Sequence, residues 1–266
     1  MPKINAGGAT FNYELTGAGE TLVLLHEIGG TLQSWSALVP ALATRFQVLA
    51  YDQRGCGGSD RIVGDFSLDT HIADLRTLLA ALGLRGRLHL AGVAIGTALA
   101  VRYAASFPRD IGSLVLACPA LNVSEERKTY LAERAARVAA EGMAATVEQT
   151  LGLSYPPEAM HDQAAYDAYR ARFLANDPKS YAAINTAFAR FDAMPDLAAI
   201  RAPVLVLAGM HDRLRPPAQV HQVVERVAGA RYGEIDAGHL MPVQAPEVMA
   251  AAMLAFYEPV VPPRER

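Results

Sequence analysis

The sequence predicts an α/β fold, a mostly parallel central sheet flanked by helices, with a helical lid inserted between two strands. Three observations carry this. Short, continuously apolar runs alternate with longer amphipathic ones, the pattern of strands buried on both faces and joined by helical crossovers. One such run passes through Gly92-Val93-Ala94-Ile95-Gly96 directly into a helical stretch, as a tight strand-to-helix turn does. Between residues 119 and 201 the alternation stops, and only helical patterns remain.

The elements follow in order. Phe11-Asn12-Tyr13-Glu14-Leu15 alternates with period two and stops at Gly17-Ala18-Gly19, which predicts an edge strand with one wet face. Residues 21–25, 47–51, 88–91, 114–117 and 204–207 are unbroken apolar runs and read as central strands, and 231–235 as the last strand. A helix is expected over 68–82, where Ile72, Leu75, Leu78, Leu79 and Leu82 keep a helical period and Ser67 supplies an N-cap. The helix from Thr97 ends near Phe107-Pro108, and 246–257 opens on Pro246, a residue suited to a first turn. Helical patterns also cover 125–141, 143–151, 163–174 and 180–190. The proline-rich, charged stretch 259–266 predicts a frayed end. Residues 1–118 and 202–266 are therefore expected to form the core. Residues 119–201 are expected to form a helical cap over the carboxyl ends of the strands, where parallel sheets bind ligands.

Composition narrows the function. With 266 residues, 52% hydrophobic and 19% charged, the chain suits one large, well-packed α/β domain. A net charge of −3 and the lack of any basic cluster argue against nucleic acid. The apolar runs are too short to span a bilayer, and the start lacks the apolar region of a secretory signal, so no membrane partner is expected. Cys56 and Cys118, in separate segments, imply no disulfide framework and fit a reducing cytoplasm. No metal-ligand spacing, dinucleotide fingerprint or phosphate loop is present, so the expected partner is a small-molecule substrate and no cofactor or metal is predicted.

The chemistry centres on residue 94. The frame Gly-x-Ser-x-Gly puts a serine on a strained turn where its oxygen faces substrate, but here that position holds Ala94, which can neither attack a carbonyl nor accept a proton. Downstream, Asp212 follows a buried strand and a proline turn, and His239 follows the last strand in Asp236-Ala237-Gly238-His239-Leu240. An aspartate so placed can orient a histidine, and His239–Asp212 is the predicted pair, with His211 as second choice. Leu25-His26-Glu27-Ile28-Gly29-Gly30 follows an early strand, and the backbone N–H groups of Ile28 and Ile95 are the expected oxyanion donors. Of the remaining histidines, His26 is expected to brace its loop and His89 to be hydrogen-bonded within its strand.

These segments, together with Asp52-Gln53-Arg54-Gly55-Cys56-Gly57-Gly58-Ser59-Asp60 and Gly209 to Asp212, carry a resemblance over nearly the whole chain. It resembles the α/β-hydrolase superfamily and is similar in layout to 3-oxoadipate enol-lactonases and related small ester or lactone hydrolases. The resemblance implies hydrolysis of an ester, a lactone or a carbon–carbon bond. Three departures stand out: Ala94 for serine, Glu27 for the glycine usual in that loop, and apolar Val93. Departures at several neighbouring points favour a natural change over an engineered serine-to-alanine knockout, which would alter one residue. Glu27 is the departure that adds chemistry, and Glu27 and Trp35 are candidate substrate-binding residues. Four readings follow: hydrolysis on a His239–Asp212 general base, an inactive hydrolase engineered from serine to alanine, non-hydrolytic His–Asp chemistry (lyase, isomerase, decarboxylase or cofactor-free oxygenase), and a ligand-binding pseudoenzyme.

Overall fold

The computed structural model describes residues 1–261, and residues 262–266 of the stretch read as frayed lie outside the described residues. Eight strands form one sheet: β1 (Lys3–Ala6), β2 (Ala9–Gly17), β3 (Thr21–Leu25), β4 (Gln47–Tyr51), β5 (Leu88–Val93), β6 (Ile111–Ala117), β7 (Val204–Gly209) and β8 (Arg231–Ile235). Their spatial order is β1-β2-β4-β3-β5-β6-β7-β8, antiparallel at β1–β2 and β2–β4 and parallel from β4 onward. Ten α-helices accompany them: α1 (Val39–Leu42), α2 (Leu68–Ala81), α3 (Ile95–Ser106), α4 (Glu125–Glu141), α5 (Val147–Ser154), α6 (Gln163–Leu174), α7 (Pro178–Phe188), α8 (Pro217–Val224), α9 (Met241–Gln244) and α10 (Pro246–Tyr257).

The unbroken apolar runs are the central strands, buried at every residue in β3, β5, β6 and β7. Their side chains alternate between two cores. Val23, Leu25, Leu114 and Leu116 pack on the side of α2, α3 and α8, while Leu22, Leu24, Val115 and Ala117 pack on the side of α1 and α10. Between β6 and β7 the described chain runs through α4, α5, α6 and α7 with no strand. A separate apolar cluster forms there from Val138, Val147, Leu151, Tyr169, Phe173 and Tyr181.

Two local expectations need correction. The strand through Phe11–Leu15 is not the sheet edge, because β1 pairs outside it with Ala6 opposite Ala9. Gly7 and Gly8, both at positive φ (60° and 80°), make the two-residue hairpin that folds β1 back. Ser67 occupies the N-cap position of α2, yet its side chain makes no capping hydrogen bond.

The glycine-rich segment after β4 is a buckle. The buried Asp52 carboxylate accepts from Asn12 Nδ2 (2.7 Å), Leu32 N (2.8 Å) and Gly58 N (2.7 Å). Gln53 N donates to His26 Nε2 (3.1 Å), and His26 Nδ1 lies 2.9 Å from Glu27 O, so His26 braces the loop that follows β3. Arg54 holds Asp74 of α2 through two bonds, one of 2.9 Å.

Beside it His71 is buried, with Nε2 3.0 Å from Arg54 O, and burial pushes its imidazole down to about 4. The folded chain therefore resists protonating a group that the unfolded chain protonates near 6.5. The associated stability is complete above that pH and is lost as pH falls from 6.5 toward 4. Urea denaturation should show His71 costing about 2 kcal/mol at pH 5 relative to pH 7.5. In His71→Gln the difference between the two pH values should shrink by that amount, and an unchanged difference would refute the assignment.

Candidate active site

At the end of β5 the backbone turns sharply into α3, and Ala94 sits at φ 52°, ψ −121°. Such a conformation costs a non-glycine residue about 1–3 kcal/mol and persists where the surroundings enforce it. Here they do. A Cβ on Gly92 would stand 2.4 Å from Gly96 backbone atoms, and one on Gly96 would stand 2.1 Å from Leu25 O. Only glycine fits at either place. Ala94 N donates to Ala117 O (3.1 Å), and Thr97 N and Oγ1 both donate to Ala94 O (3.1 and 2.5 Å). The turn is thus built and pinned although its central side chain is a methyl group.

His239 and Asp212 meet. Nδ1 of His239 lies 2.7 Å from Asp212 Oδ2, while Asp212 Oδ1 accepts from Leu214 N (2.8 Å) and Arg215 N (2.9 Å). Burial opposes ionisation of Asp212, but the charge and hydrogen bond of His239 and the two backbone donors outweigh it and hold the carboxyl below its ordinary value. An ionised Asp212 fixes the proton on Nδ1 and leaves Nε2, which bonds no protein group among the described residues, as the basic nitrogen. His239 N donates to Ser154 O (3.0 Å), so the end of α5 fastens the loop that carries it. Cys118 reaches within 4.8 Å of this pair, but complete burial drives its thiol well above the usual range and rules it out as a ready nucleophile. His211 instead faces Asp236 at 2.8 Å on the surface.

These groups line a cavity of about 80 Å³ between the carboxyl ends of the strands and the inserted helices. That is roughly half the ~150 Å³ of an engineered apolar cavity that admits benzene, so the enclosed space is small. Ala94, His239, Glu27, Ile28 and Ile95 all face it. Neither the Ile28 nor the Ile95 N–H donates to a protein acceptor among the described residues, as oxyanion donors require. Glu27 is buried. Its Oε1 accepts from Ser34 Oγ (2.7 Å), and its Oε2 has no hydrogen-bond partner. The Tyr169 phenol, raised first by its burial, also feels the Glu27 charge.

Trp35 is not there. It is fully buried in the α1–α10 core and does not line the cavity. Met143, Met160, Met194 and Met241 pack in the apolar clusters and do not line the cavity. The residues that sequence reasoning missed come from the inserted helices, above all Arg127 and Arg134 of α4 and Tyr169 of α6. The readable signal was the spacing Arg127, Leu131, Arg134, which puts all three on one face of a helix.

The chain matches the family model described as alpha/beta hydrolase fold over residues 20–246. It is 30% identical over 260 residues to RutD of Azorhizobium caulinodans, provisionally named a carbamate hydrolase, covering 96% of this chain and 98% of that one. Among solved structures it is similar to a thermophilic esterase from Thermogutta terrifontis, with a TM-score of 0.91, 26% identity and coverage of 97% and 98%. The enol-lactonase of Burkholderia xenovorans LB400 is also similar, with a TM-score of 0.89, 27% identity and coverage of 96% and 99%. No helix among the described residues is long and apolar enough to cross a membrane.

Proposed function

This chain belongs to the alpha/beta hydrolase fold family, and from that premise we propose that it acts on a small ester, lactone or related carbonyl compound without forming a covalent intermediate. The observation that carries the reading is the buried 2.7 Å His239–Asp212 pair on the same small cavity as the Ala94 methyl. With a methyl at the nucleophile position, the attacking atom comes from solvent. His239 Nε2 takes a proton from water as the water oxygen bonds to the carbonyl carbon. The resulting oxyanion accepts from the Ile28 and Ile95 N–H groups, and the imidazolium returns its proton to the leaving oxygen. General-base help of this kind supplies about 10²–10⁴-fold, which suits a reactive lactone or activated ester better than an amide. The helices of 119–201 serve as the cap, since α4, α5, α6 and α7 each place residues on the cavity.

Glu27 favours a second reading. A buried carboxylate with an unpartnered oxygen on the cavity wall is suited to pair with the imidazole as acid and base, moving a proton on carbon rather than hydrolysing the substrate. Turnover of a small lactone in ¹⁸O-labelled D₂O separates the two. Hydrolysis by direct water attack places one heavy oxygen in the product carboxylate in a single turnover and leaves the protein mass unchanged. Deuterium entering carbon beside the carbonyl without heavy oxygen would replace the first reading with the second.

A further inference from the structure

We propose that Arg127, Arg134 and Arg215 form an anion-binding site on the cavity that holds a carboxylate of the substrate, so that the substrate class is a small carboxylate-bearing ester or lactone. The proposal rests on the cavity being the substrate site and deepens that reading. Six other arginines, at positions 54, 61, 76, 102, 170 and 213, are ion-paired with aspartate or glutamate. The three that line the cavity form no ion pair among the described residues.

What they do touch is neutral. Arg134 is buried, bonds Asn185 Oδ1 and stacks over the rings of Tyr130 and Tyr181, with Nε lacking any partner. Arg215 donates to Asn122 O (2.6 Å) and Leu214 O (3.2 Å). Arg127 has only the Tyr130 face, 5.6 Å away.

Arg134 is buried and Arg127 and Arg215 are half-buried, so like charges line one cavity, which is costly unless an anion joins them. Burial and then the neighbouring guanidinium lower Arg127 (through Arg134) and Arg215 (through Arg127). Asp212, the one carboxylate whose charge reaches both Arg127 and Arg215, is already engaged by His239 and two backbone donors. Glu27 lies against Tyr169 and Ser34 instead.

Planar, forked guanidinium groups match a carboxylate, and the cavity is small enough to suit a short acid. Arg127 and Arg215 also line a neighbouring groove of about 730 Å³, so two of the three cations belong to both spaces. An anion bound there would have one end gripped and its carbonyl free to approach His239.

Calorimetric titration at low salt with succinate, succinamide and inorganic phosphate tests this on the full chain and on Arg127→Gln, Arg215→Gln and His239→Ala. Succinate should bind, with succinamide and phosphate at least about tenfold weaker, and each arginine variant should lose roughly tenfold in succinate affinity. Melting curves confirm that the variants fold, and Arg127, the least enclosed by bonds, serves if Arg215→Gln does not. Equal binding of succinate and succinamide, phosphate as tight as succinate, no succinate binding, or full affinity in Arg127→Gln would overturn the proposal. His239→Ala should keep succinate affinity. If turnover survives that change while succinate still binds, the general-base reading fails and the anion site stands.

Discussion

Ala94→Ser is expected to yield a protein that is acylated by small aryl esters and hydrolyses them at least about 10³-fold faster than the chain with Ala94. Removing the nucleophile from a complete triad costs ~10⁶ in turnover, and the gain is set below that because Glu27 places a buried carboxylate next to Ile28, one of the two proposed oxyanion donors. The remaining parts are in position. The turn keeps the strained geometry that aims residue 94 at the cavity, the histidine has its aspartate at 2.7 Å, and both backbone donors are unengaged. Serine needs no new backbone conformation at φ 52°, since alanine already bears it. The measurement is a burst of p-nitrophenolate from p-nitrophenyl acetate, with intact-mass detection of one added acetyl group. A folded Ala94→Ser protein that shows neither burst nor adduct would mean that the imidazole does not reach the oxygen, and the proposed geometry of catalysis would fall with it.

His239→Ala is the second large effect, in the opposite direction. A general base contributes about 10²–10⁴-fold, so kcat/KM on a responsive lactone should fall by that factor, while ligand affinity changes little. Asp212→Asn should fall nearly as far, because an amide in place of the carboxylate no longer stabilises the imidazolium or selects the Nδ1–H tautomer. The two variants should not be additive, since both remove the same base. Full activity in His239→Ala would exclude every reading that uses the pair, and loss of affinity without loss of rate would make the site a binding pocket.

Much of this molecule is legible before any coordinates are seen. The central strands are readable because burial on both faces demands an unbroken apolar run, and Leu22 to Leu25 or Val204 to Leu207 can be little else. The turn at residue 94 is readable because Gly92 and Gly96 sit where any side chain would collide with backbone. By contrast, β1 is short and mostly exposed, so periodicity carries no trace of it. The Gly7-Gly8 turn was the available clue. Trp35 misleads because an aromatic next to an active-site loop looks the same whether it faces a ligand or a core.

What the sequence determined by itself is therefore the sheet and the order of its parts, which are local demands of backbone geometry and burial, together with the methyl group at residue 94. Only the tertiary structure decided that Nδ1 of His239 meets Asp212 and that Glu27 is a buried cavity-lining carboxylate with one oxygen unpartnered. It alone decided, too, that three arginines line that cavity with no ion pair among the described residues. The physical reason is that charge has no periodicity that tells its partner. An arginine on a helix face reads alike whether it meets solvent, a carboxylate or a ligand, until packing brings distant segments together and leaves its charge answered or unanswered.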